Sequence, residues 1–216
     1  MGGARKPFLS VNGDPLLLHS LRPFLSHPRV RSIVVALAPE DAAEPPQWLL
    51  RLAPIVQLVP GGRTRSESVL AGLEALPGDL AIALVHDAAR PLVTAVIIDR
   101  CLAGVTETVG AVAGWPSVDT LKEVDADGGV VNSPDRTRYW QAQTPQAFPL
   151  AALLPAYRDT VASGLSATDD AAVFERAGGS VRMVEGDRWN LKVTVPADLP
   201  VAEALMPHAT SKLEDR

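Results

Sequence analysis

Short apolar runs alternate along the chain with segments in which apolar residues recur every three or four positions. The first pattern is typical of buried strands, and the second of helices with one buried face. Strands are predicted at 30–39, 54–62 and 80–87, and helices at 15–28, 64–76 and about 94–107. This alternation favours a three-layer α/β fold with a mainly parallel sheet.

The pattern changes between Gly110 and Pro145, where helical periodicity is almost absent. Strands and a hairpin are predicted there, and residues 114–143 are expected to project from the sheet as a β-arm. Thr94 and Thr168 are expected to cap helices. The remaining predictions are helices at 149–164 and 168–179, a strand at 180–186, a last helix with Pro196 in its first turn, and a polar tail at about 207–216.

Composition limits the classes of protein that fit. With 216 residues, 47% of them hydrophobic, the chain is long enough to bury one core, and residues 1–216 are expected to form a single domain. The net charge of −5 gives no overall attraction to nucleic acid or to an anionic membrane, so neither is an expected partner. A lone cysteine, Cys101, excludes an internal disulfide and favours the cytoplasm. No apolar run is long enough for a signal peptide or a transmembrane helix.

The first candidate anion site is the segment PGGRTRSES, which follows a predicted strand and opens a predicted helix. Backbone N–H groups of such a glycine-rich turn can bind a phosphate or the edge of a base. Many strand-to-helix turns contain two glycines, so a purely structural turn is the alternative.

The second candidate is VHDAARP, at the end of the most apolar strand. Asp87 could bind a ribose hydroxyl or a metal, and Arg90 a phosphate, because ligands bind at the carboxyl ends of parallel strands. The alternative is an Asp that caps a turn and an Arg on the surface. His86 is expected to be packed or hydrogen-bonded rather than catalytic.

The third candidate is Lys192, in the segment WNLKVTVP. A lysine among apolar neighbours indicates a partner for its ammonium group. The alternative is a lysine whose stem lies along an edge strand while its head reaches water. Thr120 and Arg136 lie in the predicted arm, where polar groups are usually solvated.

Taken together, eight segments resemble one family. They are KPFL, HPRV, GGRTRSESVLAGL, VHDAARP, DTLK, QTPQAF, TDDAAVFE and NLKVT. Their order and spacing are similar to those of the 2-C-methyl-D-erythritol 4-phosphate cytidylyltransferases of the non-mevalonate isoprenoid pathway, over nearly the whole chain. HDAARP also occurs in ribitol phosphate cytidylyltransferases, but QTPQ with the later TDDA and NLKVT favours the methylerythritol enzymes.

The resemblance implies a Rossmann-like nucleotidyltransferase fold, a homodimer interlocked through the arm, and Mg²⁺-dependent transfer of a cytidylyl group from CTP to the sugar phosphate. It implies catalytic roles for Lys6, Lys192 and Arg136. The nucleotide-binding residues that it implies are Gly2, Gly3, Lys6, Gly62, Arg63, Ser68, Asp87 and Ala88. Arg63 is expected to bind through its backbone, and Asp87 is also expected to bind the metal. The implied substrate-binding residues are Asp87, Arg90, Thr120, Arg136, Thr144, Thr168 and Lys192, with Thr120 and Arg136 supplied by the partner's arm.

Family members begin with a strand and a glycine-rich loop that wraps the triphosphate, and the opening MGG matches only the end of that loop. We therefore expect the sheet to lack a central strand, which exposes the edges of its neighbours. One interpretation is that Met1 is an internal methionine of a longer protein. The other is a truncated chain, inactive or kept as a dimerisation or regulatory module.

Overall fold

The computed structural model describes residues 6–211, with side chains described up to Met206. The strands are β1 Ser10–Val11, β2 Asp14–Pro15, β3 Ile33–Leu37, β4 Val56–Pro60, β5 Ile82–Val85, β6 Val109–Pro116, β7 Glu123–Val124, β8 Val130–Asn132, β9 Trp140–Pro149 and β10 Ser180–Glu185. The helices are α1 Leu16–Leu25, α2 Pro39–Ala43, α3 Gln47–Leu50, α4 Arg65–Glu74, α5 Ala95–Gly104, α6 Leu150–Ala162, α7 Asp170–Arg176 and α8 Asp198–Ser211.

The larger sheet has the strand order β10-β6-β9-β5. β10 pairs in parallel with β6, whereas β9 runs antiparallel to both β6 and β5, so three of these four strands share one direction. β3 and β4 pair in parallel as a separate sheet. The predicted α/β fold with a mainly parallel sheet is confirmed.

Helices cover both faces of the larger sheet because its strands alternate their side chains between two apolar layers. Ala83 and Phe148 pack on one side with α6 and α7. Ile82 and Leu84 pack on the other side with α5 and with Phe24 of α1. A strand buried on both faces must be apolar throughout, which explains the nearly continuous apolar run of β5.

The expected gap in the sheet is present. Between β3 and β5 lies a cavity of about 520 Å³, which we call the inter-strand cavity. It is lined by residues of both strands and by side chains of α1 and α4. Within residues 6–211, no strand pairs with the edge of β3 or β5 that borders it.

The arm is built around a hairpin of β7 and β8, which pair with each other. Six large apolar side chains of the arm and its base are 39–62% exposed; they are Val118, Val124, Val130, Val131, Tyr139 and Trp140. The hairpin is thus separate from the larger sheet, and this region carries an uncovered apolar surface; that it forms a projecting arm stays a prediction.

Three helix ends differ from the prediction. Asp169, and not Thr168, caps α7, because the Asp169 carboxylate accepts a hydrogen bond from the Ala172 N–H. Thr94 occupies the cap position of α5 without a capping hydrogen bond. The last helix begins at Asp198, after Pro196, and extends through Ser211 into the predicted polar tail; residues 212–216 lie outside the described chain.

Candidate active site

Asp87 follows β5, and cations from three parts of the chain face its carboxylate. Lys192 Nζ lies 2.7 Å from Oδ2 of Asp87. Arg65 Nη2 lies 3.5 Å from Oδ1, and Arg90 Nε lies 3.9 Å from Oδ2. One carboxylate facing three cations leaves an excess of positive charge, so this group, which we call the Asp87 cluster, attracts anions.

The ionisation of Asp87 depends on these cations. Burial alone would raise its pKa, because desolvation disfavours the charged form. The hydrogen bond and charge of Lys192, together with the charges of Arg65 and Arg90, outweigh burial and lower the pKa of Asp87 below its usual value. Asp87 is therefore ionised at neutral pH and holds Lys192 in place.

Lys6 lies at the same edge of the sheet as Lys192. Both lysines line a cavity of about 200 Å³ with Asp87 and Ala88. The Lys6 ammonium donates a 3.5 Å hydrogen bond to the Thr194 carbonyl. Two lysines therefore face one small cavity beside the Asp87 cluster.

A tight hairpin fixes the segment that carries Lys6. β1 and β2 are joined by Asn12 and Gly13, whose φ values of 47° and 84° suit the Asn-Gly turn of a two-residue hairpin. The Leu16 N–H donates to the Leu9 carbonyl at 2.8 Å, which anchors the segment to the start of α1. This turn was not predicted from the sequence, although Asn-Gly is a strong hairpin pattern.

The glycine-rich turn before α4 is held by its own side chains. The Gly62 N–H donates to Ser68 Oγ at 3.1 Å, and the Arg63 N–H donates to Glu67 Oε2 at 2.5 Å. Thr64 and Glu67 form a reciprocal capping box. The Arg63 N–H, predicted to contact cytidine, thus already has an acceptor, and Ser68 supports the turn.

Arg65 was missed by the sequence analysis, although it forms the most extensive ion pair of the site. Its two terminal nitrogens donate to Asp170 Oδ1 and Oδ2 at 2.8 and 2.7 Å. Asp170 is fully buried and also accepts a hydrogen bond from the Tyr157 hydroxyl. Burial lowers the pKa of Arg65, but Asp170 and Asp87 outweigh it and raise the pKa above its usual value. Arg65 therefore joins the starts of α4 and α7 to Asp87.

Arg90 is held by backbone carbonyls rather than being open to solvent. Its Nη1 donates to the Asn190 carbonyl at 2.7 Å, and its Nη2 to the Ala142 carbonyl at 3.4 Å. The buried Asn190 side chain in turn donates to the Thr144 carbonyl and to Gln143 Oε1, at 2.9 and 3.2 Å. Arg90 thus ties β9 to the segment before Lys192.

The two glutamines of the QTPQ motif are buried and structural. Gln143 Nε2 donates to the Asp187 carbonyl at 2.7 Å. Gln146 Nε2 donates to Asp169 Oδ2 at 3.0 Å, and its Oε1 accepts from the Ala171 N–H at 2.9 Å. The motif therefore fixes the loop after β10 and the start of α7 against β9.

His86 and Thr144 form a directed chain of hydrogen bonds beneath Asp87. His86 Nε2 lies 3.2 Å from the Arg90 carbonyl, so it carries the proton and donates. The Thr144 hydroxyl accepts from the Asp87 N–H at 3.0 Å and donates to His86 Nδ1 at 2.9 Å. The prediction that His86 is packed and hydrogen-bonded is confirmed, and Thr144 positions the Asp87 backbone.

The remaining predicted site residues lie apart from this cluster. Arg136 is in the exposed arm, where its Nη1 donates to the Val118 carbonyl at 2.5 Å, and Thr120 is exposed in the same arm. Thr168 is exposed before α7. Gly2 and Gly3 lie outside the described residues. Within 6–211, no hydrogen bond or ion pair joins Thr120, Arg136 or Thr168 to Asp87.

The residues at Asp87 do not fit a metal held by the protein. Both carboxylate oxygens of Asp87 face cations, which would repel a divalent ion placed there. Among residues 6–211, no three His, Cys, Asp or Glu side chains are grouped as metal ligands. That Asp87 binds a metal therefore stays an untested prediction.

This arrangement defines a class of enzyme. Cations and a glycine-rich turn meet at the carboxyl ends of parallel strands, where open α/β folds bind nucleotides. The protein is a nucleotidyltransferase. Residues 1–208 match the family described as 2-C-methyl-D-erythritol 4-phosphate cytidylyltransferase, and the chain belongs to this family.

Relatives and solved structures agree with this assignment. The cytidylyltransferase of that name from Thermosynechococcus vestitus is 41% identical over 212 residues, covering 96% of this chain and 89% of the relative. The one from Ectopseudomonas mendocina is 45% identical over 199 residues, covering 90% and 84%. The crystal structure of the Thermus thermophilus cytidylyltransferase superposes with a TM-score of 0.80 at 36% identity, covering 94% of each chain.

None of the helices in the described range 6–211 is both long enough and apolar enough to cross a bilayer.

We predict that His86 makes folding sensitive to mild acid. Burial lowers the pKa of His86 from 6.5 to about 4, so between these values the unfolded chain binds a proton that the folded chain does not. The free energy of unfolding should therefore fall by up to about 3 kcal/mol as the pH drops through this window. Urea unfolding at a series of pH values measures this fall.

The variant His86→Gln replaces the imidazole with an amide, which can still donate a hydrogen bond but cannot titrate. Its free energy of unfolding should therefore change less over the same pH range. Asp87, whose pKa is lowered, loses its contribution only at more acidic pH, which separates the two groups. An unchanged pH dependence in His86→Gln would refute the role of His86.

Proposed function

We propose that this chain transfers a cytidylyl group from CTP to 2-C-methyl-D-erythritol 4-phosphate and releases pyrophosphate. The observation that carries the proposal is the pair of lysines, Lys6 and Lys192, beside the Asp87 cluster in a member of this family. The reaction brings two anions together, and a site rich in fixed cations reduces their repulsion.

The nucleophile is a phosphate oxygen of the acceptor, which is already anionic near neutral pH, so no general base is needed. This oxygen forms a bond to the α-phosphorus of CTP. The bond from that phosphorus to the oxygen bridging the β-phosphorus breaks, and its electron pair leaves with pyrophosphate. The protein's task is to align the phosphates and to stabilise the charge that develops on their oxygens.

Lys192 is suited to this task by its contact with Asp87. An ammonium group has three donors, and one is directed to Asp87 Oδ2 at 2.7 Å, which leaves two for phosphate oxygens. Lys6 reaches the same cavity from the opposite end of the sequence. We assign Lys192 to both the acceptor phosphate and the α-phosphate, and Lys6 to the triphosphate.

The other predicted residues are proposed for the cytidine end or for the sugar phosphate. Gly62, Arg63, Ser68 and Ala88 form the surface proposed for the cytidine end. Arg90 and Thr144 are proposed for the sugar phosphate, where the Thr144 hydroxyl also accepts from the Asp87 N–H.

We propose that the sugar phosphate is bound by Thr168, and by Thr120 and Arg136 of the partner's arm. The homodimer is supported by the exposed apolar side chains of the arm, which a second copy would cover. We propose Mg²⁺ as the cofactor; phosphate oxygens of CTP would hold it, and it would neutralise part of their charge. A cytoplasmic location is proposed from the lone, buried Cys101, a thiol whose pKa burial raises to about 12.

Acceptor choice is the direct test of the proposal. Purified protein with CTP and Mg²⁺ should release pyrophosphate with 2-C-methyl-D-erythritol 4-phosphate and far less with ribitol 5-phosphate, measured by a coupled pyrophosphate assay. A preference for ribitol phosphate would reassign the acceptor. Absence of heat when CTP and Mg²⁺ are titrated in a calorimeter would indicate a non-catalytic module instead.

Removing the charge of Lys192 should abolish most turnover. Lys192→Met keeps the length of the side chain but removes its donors, and loss of one such contact typically lowers kcat about 10²–10³-fold. Arg158→Met is the control, because Arg158 lies on the surface in an ion pair with Glu74 and should keep wild-type turnover. Near-normal turnover of Lys192→Met, with both variants folded by circular dichroism, contradicts the assignment.

Arm exchange between subunits can be tested by mixing two inactive variants. If Arg136 acts in the partner's site, Lys192→Met and Arg136→Met subunits in one dimer leave one site with both native residues. Random mixing of equal amounts should restore up to about a quarter of wild-type activity. A mixture no more active than its separate components would place Arg136 in its own subunit's site.

A further inference from the structure

The ion pair between Arg65 and Asp170 connects the Asp87 cluster to the core of the protein. The Asp170 side chain is fully buried, and its two oxygens accept from the two terminal nitrogens of Arg65 at 2.8 and 2.7 Å. The Tyr157 hydroxyl also donates to Asp170 Oδ1. A bidentate contact of this kind holds a guanidinium group in one orientation.

A single nitrogen of Arg65 faces two carboxylates. Nη2 lies 2.7 Å from Asp170 Oδ2 and 3.5 Å from Asp87 Oδ1. Because this nitrogen carries two hydrogens, it can face both oxygens at once. Lys192 lies against the other oxygen of Asp87, with 2.7 Å between Nζ and Oδ2. Four charges of alternating sign therefore follow one another from Asp170 to Lys192.

The buried end of this series is fixed by the core. Gln146 of β9 donates to the Asp169 side chain and accepts from the Ala171 N–H, so it holds both neighbours of Asp170. Tyr157 is fully buried in α6. Burial and the charge of Asp170 raise the pKa of Tyr157 above its usual value, so its hydroxyl stays protonated and continues to donate. Asp170 is therefore held from several sides, and Arg65 is held with it.

This arrangement matters for Lys192 because Asp87 connects the two cations. Without Arg65, Oδ1 of Asp87 would lose the cation that faces it, and the carboxylate could turn about its Cβ–Cγ bond. Lys192 would then have no fixed oxygen to bind. A displacement of about 1 Å at a catalytic group can lower turnover about 100-fold.

We propose that Arg65, locked by Asp170, is a positioning residue that orients the Asp87 carboxylate. Given the proposed function, on which this inference rests, the same contact directs the ammonium group of Lys192 toward the reacting phosphates.

Removing both charges of the buried pair tests this role without leaving either charge unpaired. Arg65→Met combined with Asp170→Asn keeps side chains of similar size, and the new amide can still accept from Tyr157. Replacing a buried ion pair by neutral groups is often neutral for stability, so this double variant should fold, as measured by circular dichroism. Its kcat should fall about 10–100-fold, whereas the KM for CTP should change less than about twofold.

Arg31→Met combined with Asp79→Asn is the matched control. These two residues also form an ion pair, with 2.8 Å between nitrogen and oxygen, but each side chain is 64% exposed. Exposed ion pairs contribute little to stability, so this control should keep the kcat and the KM of the wild type.

Coupling to Lys192 separates a positioning role from a structural one. In the Lys192→Met enzyme there is no ammonium group left to misplace, so adding Arg65→Met and Asp170→Asn should lower kcat less than about twofold. A structural defect would lower kcat by the same factor in both backgrounds. In a crystal structure of the Arg65→Met/Asp170→Asn variant, Lys192 Nζ should lie about 1 Å or more from its position in the wild type.

Arg65→Lys is a second variant, which keeps the charge that compensates the buried Asp170. One ammonium group cannot reproduce the bidentate contact and also face Asp87. The kcat of Arg65→Lys should therefore still fall, by about fivefold or more.

Four results would overturn the proposal. They are wild-type kcat in either folded Arg65 variant, an equal loss of kcat with and without Lys192, a raised KM with unchanged kcat, and an unmoved Lys192 in the crystal structure. The third result would make Arg65 a direct ligand of CTP. The crystal structure decides this inference even if the wild type releases no pyrophosphate, an outcome that would instead refute the proposed function.

Discussion

The partly buried carboxylate of Asp87 is the constraint on which the arrangement of the site depends. An ionised carboxylate in this position needs cations; Arg90 lies three residues away in the sequence, whereas Arg65 and Lys192 come from distant parts of the chain. Arg65 begins α4, Arg90 follows β5, and Lys192 precedes α8. Pairing this one charge therefore brings together the glycine-rich turn, the end of β5 and the segment before α8.

Around this charge, most polar residues of the family motifs serve as supports. Gln143 and Asn190 are buried and bonded to backbone groups, and through the Asn190 carbonyl they hold Arg90. Asp170 is buried under Arg65 and Tyr157. Because buried polar groups are costly unless they are hydrogen-bonded, such residues hold the backbone in one arrangement. Lys6 and Lys192 remain the groups directed at the small cavity.

Most helices and strands could be predicted from the sequence, because their patterns depend on residues that are close together along the chain. The apolar run of β5 and the helical period of α4 are local patterns. Contacts between distant residues could not be predicted in this way. Arg65 and Asp170 pair across 105 positions, and neither has a local pattern that marks it as a partner. The cap of α7 was assigned one residue too early because Thr168 and Asp169 are both suitable caps, and backbone geometry selects Asp169.

By itself, the sequence determined the α/β fold class, the family and the candidate cations, since periodicity and motif spacing are properties of the chain alone. Tertiary structure decided which candidates act together. It grouped Lys6, Lys192 and Asp87, kept Thr120 and Arg136 on the arm, and left the edges of β3 and β5 open. The physical reason is that charge pairing and strand pairing depend on distances in space, which the order of residues along the chain does not specify.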